Sequence, residues 1–170
     1  MHKYLAVDID KCVGCRICEV WCSFTKLGEC GPAYSRITLY PIESEGVSVP
    51  IVCNHCEEAP CMAVCPVRAL NRDSETGAVL LDDTLCIGCR ACIVACPFGA
   101  IFLTPDGKLI KCDLCDGEPV CVARCPVNAI TYVRPELVSI SKQKSYSYKV
   151  AEPLLTQRGA AVTEKDSSLG

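Results

Sequence analysis

Cysteine is the residue type whose number and spacing in this sequence point most directly to chemistry. The chain of 170 residues contains 17 cysteines, and all but Cys30 fall into four sets of four. The sets are Cys12, Cys15, Cys18 and Cys22; Cys53, Cys56, Cys61 and Cys65; Cys86, Cys89, Cys92 and Cys96; and Cys112, Cys115, Cys121 and Cys125. Cysteine at this density, in repeated sets, indicates a binding framework rather than ordinary core residues.

The spacing within each set is typical of ligands to [4Fe–4S] clusters. The third set, CIGCRACIVACP, matches the run C-x2-C-x2-C-x3-C-P, in which three cysteines hold one cluster and the fourth holds another. The second and fourth sets have a wider middle gap, and the first has Ser23 where the proline is expected. We therefore expect iron–sulfur ligation, with the last cysteine of a set suited to a different cluster.

Two other uses of cysteine compete with this interpretation. Structural zinc also takes C-x2-C pairs, but it gives no reason for a triplet followed by a lone Cys-Pro. A disulfide framework needs an oxidising compartment and usually an even number of cysteines, whereas this chain has 17. A zinc-stabilised interaction module is the alternative of a different functional class.

The segments between the cysteine sets predict the elements that position these loops. ALNRDSETGAVLLD and AIFLTPDGKLIKC each predict a hairpin through a Gly-containing turn. SRITLY and VSVPIV predict a further strand pair, and YLAVDI and TYVR predict single strands. Short helices are expected to begin at each Cys-Pro, because proline suits the first position of a helix. The predicted fold class is α+β, built from two duplicated lobes.

Composition and charge exclude several functional classes. The formal net charge of −3, without a basic cluster, gives no basis for binding nucleic acid. No stretch approaches the roughly 18 apolar residues of a membrane span. The N-terminus, MHKYLAVDIDKC, lacks the features of a secretory signal, so we expect a cytoplasmic protein. No nucleophile with its base, Walker loop or dinucleotide-binding turn is present, and no catalytic residue is predicted.

A few residues near the cysteines invite separate interpretations. His55 lies within CNHC of the second set, and imidazole does replace thiolate in some clusters. Because that set is already complete, we expect His55 to donate or accept a hydrogen bond or to pack. Arg16 is expected to be solvated or ion-paired, and Cys30 to be a free thiol outside any cluster.

Four such sets in this order resemble the four-cluster iron–sulfur subunits that accompany molybdenum and tungsten oxidoreductases, hydrogenases and carbon monoxide dehydrogenases. The resemblance covers residues 1–135. With the duplication, it implies one ferredoxin-like lobe of residues 1–52 plus 107–135 and a second of residues 53–106. The remaining tail, 136–170, is expected to dock on a partner or on a second copy of the chain.

In that family the first set exchanges its last cysteine with the fourth set, and the second set with the third. The resemblance therefore implies four [4Fe–4S] clusters and four ligand quartets. These quartets are Cys12, Cys15, Cys18 and Cys125; Cys112, Cys115, Cys121 and Cys22; Cys53, Cys56, Cys61 and Cys96; and Cys86, Cys89, Cys92 and Cys65.

The stretch CEVWCSFTKLGECGPAYSRITLY resembles, more narrowly, the small subunits that serve tungsten enzymes of the aldehyde ferredoxin oxidoreductase family. This implies a non-catalytic electron-transfer subunit whose partner is a large tungsten- or molybdenum-pterin enzyme. A flavin-containing NAD-linked subunit or a ferredoxin is a further expected partner, and self-association into longer relays is possible in principle. The alternatives are a subunit of a carbon monoxide dehydrogenase, hydrogenase or formate dehydrogenase, and a freely diffusing polyferredoxin.

Overall fold

The computed structural model describes residues 2–136 and 143. The described helices are α1 (Ile17–Leu27), α2 (Pro60–Ala63), α3 (Ala91–Ala95) and α4 (Val120–Ala123). The described strands are β1 (Tyr4–Val7), β2 (Thr38–Ile42), β3 (Val47–Ile51), β4 (Leu70–Arg72), β5 (Val79–Leu81), β6 (Ile101–Leu103), β7 (Leu109–Lys111) and β8 (Ile130–Val133). Contacts divide the chain into two compact units, and the four cysteine sets lie in the unit His2–Tyr132.

The strands form two-stranded pairs rather than one continuous sheet. The pairs are β1 with β8, β2 with β3, β4 with β5, and β6 with β7. The last three are antiparallel, and they confirm the three strand pairs that the sequence predicts. The mixture of small strands and short helices confirms the α+β class.

The prediction that helices begin at each Cys-Pro is wrong. Each helix begins at the residue before the third cysteine of its set, and α2, α3 and α4 end before the fourth. The reason is visible at Cys96, which caps α3 with φ of −77° and ψ of 112°. The residue before a proline is pushed out of the helical region into an extended conformation. Proline therefore ends these helices, and the cysteine that precedes it lies outside the helix.

Helix α1 is the exception, because Ser23 stands where the other sets have proline. The helix continues for 11 residues and ends at Gly28, whose φ of 77° needs glycine and whose N–H bonds to Phe24. The Ser23 side chain is buried; its hydroxyl donates to the Val20 carbonyl at 2.9 Å and accepts the Gly31 N–H at 3.1 Å. The longer helix carries Lys26 into contact with the fourth cysteine set, where it pairs with Asp113.

Two clusters of buried residues form the interior, and cysteines belong to both. The first cluster is Leu5, Cys18, Cys22, Ile37, Val52, Ala78, Leu114, Cys121 and Ile130. The second is Ala59, Cys61, Leu70, Val79, Cys92, Ile101 and Leu109. Apart from Ala78 and Leu109, each cluster draws on the residue range expected for one lobe; the lobe boundaries themselves stay a prediction.

Two further sequence predictions concern membrane spans and the C-terminal tail. Within the residues that the structure describes, no helix is both long enough and apolar enough to cross a bilayer. The expected docking tail, 136–170, lies outside the described residues except at Glu136 and Gln143.

Candidate metal centres

Three cavities in the unit His2–Tyr132 are each lined by four cysteines. With the space open to solvent included, cavity A measures about 350 Å³, cavity B about 320 Å³ and cavity C about 350 Å³. Their cysteines are Cys53, Cys56, Cys61 and Cys96 for A; Cys12, Cys15, Cys18 and Cys125 for B; and Cys22, Cys112, Cys115 and Cys121 for C. Each cavity takes three cysteines from one set and the fourth from another. The structure thus brings together three of the expected quartets.

The fourth expected quartet includes residues of the second cluster. Cys92 is one of its buried members, and Cys65 and Cys86 pack against it, whereas Cys89 is exposed. Burial raises the pKa of Cys92, and the nearby thiols of Cys86 and Cys89 act in the same direction. Cys30 is exposed and does not line cavities A, B or C.

The cysteines that precede proline share one backbone arrangement. The amide four residues later donates to the sulfur, from Ala69 to Cys65 at 3.2 Å, from Ala100 to Cys96 at 3.4 Å, and from Ala129 to Cys125 at 3.2 Å. The equivalent sulfur of the first set, Cys22, instead accepts the Arg36 N–H at 3.3 Å. Backbone N–H donors of this kind favour the thiolate form of cysteine.

Several of the other thiols are buried enough to resist ionisation. Burial raises the pKa of Cys18 to about 11 and that of Cys121 to about 12, and it also raises the pKa of Cys112. Without a cation the thiols would therefore stay protonated at neutral pH. Metal ligation requires the thiolate and releases the proton, so these cysteines would lose their protons when a metal binds.

The thiols of a quartet surround a cavity and do not converge on one point. Among residues 2–136 and 143, no group of three or more His, Cys, Asp or Glu side chains is close enough to hold a single metal ion. Four sulfurs arranged around a cavity suit a polynuclear cluster, in which each thiolate binds a different iron atom.

A buried lysine forms part of the wall of cavity A. Lys111 is 5% exposed, and its Nζ donates to Cys53 Sγ at 3.2 Å, to the Val79 carbonyl at 2.6 Å and to the Cys112 carbonyl at 3.3 Å. Among the described ion pairs, none joins Lys111 to a carboxylate. A buried charge is costly without a counter-charge, so this wall favours an anionic occupant of cavity A.

His55 lies in the same wall and is 2% exposed. Its Nδ1 accepts the Val79 N–H at 2.9 Å, which confirms the expected hydrogen-bonding role. Burial, together with the charges of Lys111 and Arg72, lowers the pKa of His55 to about 3. The ring is therefore neutral, and with Nδ1 accepting, its proton is on Nε2. Within the described part of the chain, this buried Nε2 has no hydrogen-bond partner.

Arg72 holds the loop that carries His55. Its guanidinium donates to the carbonyls of His55 at 3.3 Å, Glu57 at 2.8 Å and Gly77 at 2.8 Å, and also to the Cys56 carbonyl. Four acceptors on two segments fix the Cys53–Cys56 loop against the β4–β5 hairpin.

The cations near cavities B and C are paired with carboxylates. Near cavity C, Asp113 accepts from Lys26 at 2.7 Å and also from Arg36. Burial opposes ionisation of Asp113, but these two cations outweigh it and lower its pKa. Near cavity B, Arg16 Nη1 lies 3.5 Å from Glu19 Oε2, so the expected ion pair is present. Within the described residues, cavity A therefore differs from B and C in that its lysine has no carboxylate partner.

Lys111, Arg72 and Asp113 are residues that the sequence interpretation missed. For Lys111 a signal was present: strand β7 has buried Leu109, partly exposed Ile110 and buried Lys111. A lysine on the apolar face of a strand, immediately before a ligand cysteine, indicates an anion in the interior.

Comparison with known proteins places these features among iron–sulfur proteins. Residues 45–135 match the family model described as the 4Fe-4S dicluster domain. The chain is 43% identical over 113 residues to the polyferredoxin-like subunit of an aliphatic sulfonate oxidoreductase from Pyrococcus furiosus, covering 65% of this chain and 64% of that protein. It is also 43% identical over 101 residues to formate hydrogenlyase subunit 2 of Escherichia coli, covering 59% of this chain and 48% of that protein.

Among solved structures, a chain of the BamBC active-site complex of benzoyl coenzyme A reductase with benzoyl-CoA is similar. It is 28% identical, with 85% of this chain and 90% of that chain covered and a TM-score of 0.48. The present chain spans about half to two thirds of the length of the two curated relatives.

Proposed function

Because the chain belongs to the 4Fe-4S dicluster domain family, we propose that it is an electron-transfer subunit that holds four [4Fe–4S] clusters. The observation that carries this proposal is the grouping of cysteines from different sets around cavities A, B and C. The fourth cluster is assigned to Cys86, Cys89, Cys92 and Cys65, by analogy with the other three. The chain itself is proposed to carry electrons without acting on a substrate.

The protein's own residues have three tasks in this function. The cysteines supply thiolate ligands, and backbone N–H groups such as that of Ala129 stabilise the charge on sulfur. Buried apolar residues such as Leu114 and Ile130 limit water around the sites. When bound, the clusters supply reversible one-electron transfer, and the protein determines their position and potential.

The geometry supports clusters over the zinc-stabilised module. A structural zinc ion needs four ligands converging at about 2.3 Å from one centre. The described cysteines instead surround cavities A, B and C without converging on a single metal position.

We propose that the partner is the large catalytic subunit of an oxidoreductase complex. Similarity to a subunit of a sulfonate oxidoreductase and to a subunit of formate hydrogenlyase supports a role beside a catalytic chain. The narrower assignment to a tungsten enzyme of the aldehyde oxidoreductase type rests on the segment after the first cysteine set. The similarity to formate hydrogenlyase subunit 2 favours a formate- or hydrogen-linked complex as the second candidate.

Anaerobic purification followed by metal analysis tests the proposed cofactors. We expect about sixteen iron atoms per chain, four for each cluster, with matching acid-labile sulfide. Bound zinc without visible absorption would reject the proposal. Native mass spectrometry of the complex from cells then separates a subunit, which co-purifies with a catalytic chain, from a free polyferredoxin, which is isolated alone.

A further inference from the structure

We propose that Lys111 and His55 raise the reduction potential of the cluster in cavity A, making this site a preferred position for the transferred electron. The inference rests on the proposed function, since it concerns a cluster held by Cys53, Cys56, Cys61 and Cys96. It assigns a role to two residues that are not ligands.

The first step is the charge of Lys111. A cluster held by four thiolates is a net anion, and reduction makes it more negative. A positive charge close to a ligand sulfur therefore stabilises the reduced state more than the oxidised state. The Lys111 ammonium lies 3.2 Å from Cys53 Sγ and is buried, where solvent screens it little. No described carboxylate pairs with it, and the sulfur to which it donates belongs to cavity A.

The second step is the hydrogen-bond donor of His55. The hydrogen bond from the Val79 N–H to Nδ1 fixes the ring, so the direction of the Nε2–H bond is fixed as well. That buried donor lacks an acceptor among the described residues, although buried polar groups are almost always satisfied. His55 lines cavity A, so a sulfur of a cluster bound there would be the acceptor. Hydrogen bonds to cluster sulfur also raise the potential.

The third step is the contrast with cavity C. Its loop has Leu114 at the position of His55, and its neighbouring cations, Lys26 and Arg36, share the carboxylate of Asp113. Cavity C lacks that donor, and Lys111 reaches its Cys112 at the backbone carbonyl, 3.3 Å away, rather than at the sulfur. Cavity C therefore serves as an internal reference with a similar loop backbone.

Redox titration of the purified four-cluster protein, followed by electron paramagnetic resonance, tests the proposal. Lys111→Met removes the charge and the donor. Lys108→Met in the same hairpin makes the same change in net charge at a side chain that is 81% exposed. We expect Lys111→Met to lower one midpoint so that the reduced-to-oxidised ratio falls at least tenfold at a fixed potential, which corresponds to 59 mV for a one-electron couple. Lys108→Met should leave all midpoints close to those of the unmodified protein.

The affected cluster is assigned with Cys96→Ser, which alters the spectrum of the cluster in cavity A. If Lys111→Met retains its iron and its midpoints match those of Lys108→Met, the proposal is overturned. A shift confined to a cluster other than that of cavity A overturns it as well.

His55→Leu provides a second test, because Leu114 shows that leucine fits this loop. We expect a smaller decrease in the same midpoint. If Lys111→Met does not incorporate clusters, His55→Leu decides: a lowered midpoint supports the proposal, and an unchanged one rejects it. The iron content of the unmodified protein separates the two hypotheses, since fewer than four clusters contradicts the proposed function, whereas unchanged midpoints with full iron contradict only the role of Lys111 and His55.

Discussion

The loops Cys53–Cys56 and Cys112–Cys115 have similar backbones but different side chains. In each, the third residue is in the left-handed region, with φ of 45° at His55 and 58° at Leu114. Its N–H donates to the first sulfur of the loop, at 3.4 Å and 3.5 Å respectively. Both residues are buried, but one is a hydrogen-bond donor and the other is a hydrocarbon. A repeated backbone thus holds thiols in the same way while the side chains vary the electrostatic environment.

The residues that precede these loops differ in the opposite sense, because here the polar residue belongs to the second loop. Val52 stands before Cys53, and Lys111 stands before Cys112, and both are buried. The charge of Lys111 nevertheless acts on the sulfur of Cys53, since the side chain crosses to the other loop. The two loops therefore have similar backbones, but a contact from one loop to the other gives their sulfurs different electrostatic environments.

Removing the iron should have the largest effect, because both loops then lose the metal that their thiols bind. Binding free energies of structural metals, about 10 kcal/mol or more in small metal domains, are comparable with the entire stability of a domain. We expect chelation to eliminate visible absorption and most of the far-ultraviolet circular dichroism signal. Anaerobic reconstitution with iron and sulfide should restore both signals. An iron-free chain that keeps its circular dichroism and resists proteolysis would contradict this expectation.

Asp113→Asn should make cavity C resemble cavity A. The substitution leaves Lys26 and Arg36 without their shared carboxylate, and breaking such a partly buried network costs about 2 kcal/mol in the free energy of unfolding. The midpoint of the cluster in cavity C should rise, because a negative charge is removed. Denaturation and redox titration measure the two effects. Asp106→Asn, at an exposed turn residue, is the matched control, and equal behaviour of the two variants would show that the pairing is irrelevant.

Leu114→His tests the same comparison from the opposite side, with a smaller expected effect. The new imidazole is placed where the backbone already accepts histidine in the other loop. Unless the ring finds partners for both nitrogens, burying it costs about 1 to 2 kcal/mol. If its N–H reaches a cluster sulfur, the midpoint of cavity C rises and that of cavity A stays constant. Thermal unfolding and redox titration of the variant read out both quantities, and a shift at cavity A alone would contradict the assignment.

The sequence predicts the parts of this molecule that local spacing determines. The cysteine sets and the hairpin through Pro105–Gly107 are examples, since a few neighbouring residues specify each. The helix starts were wrong because proline can begin a helix or stop one, and only the surrounding geometry decides which. Lys111 has a local signal, its place on the buried face of β7, but Cys53 is 58 residues away in the chain. The sulfur that the lysine contacts is therefore determined by the fold and is not visible in the local sequence.

The turn between β6 and β7 has a consequence for how this chain tolerates insertions. Thr104 and Lys108 close the turn through backbone and hydroxyl hydrogen bonds, which sets Leu103 opposite Leu109 and Ile101 opposite Lys111. Side chains alternate between the faces of a strand, so one added residue here would shift the pairing by a single step and reverse both faces. The ammonium would then lie in solvent and an isoleucine beside the thiols. A turn that contributes no ligand thereby determines which face of β7 lies in the interior, and with it the charge beside Cys53.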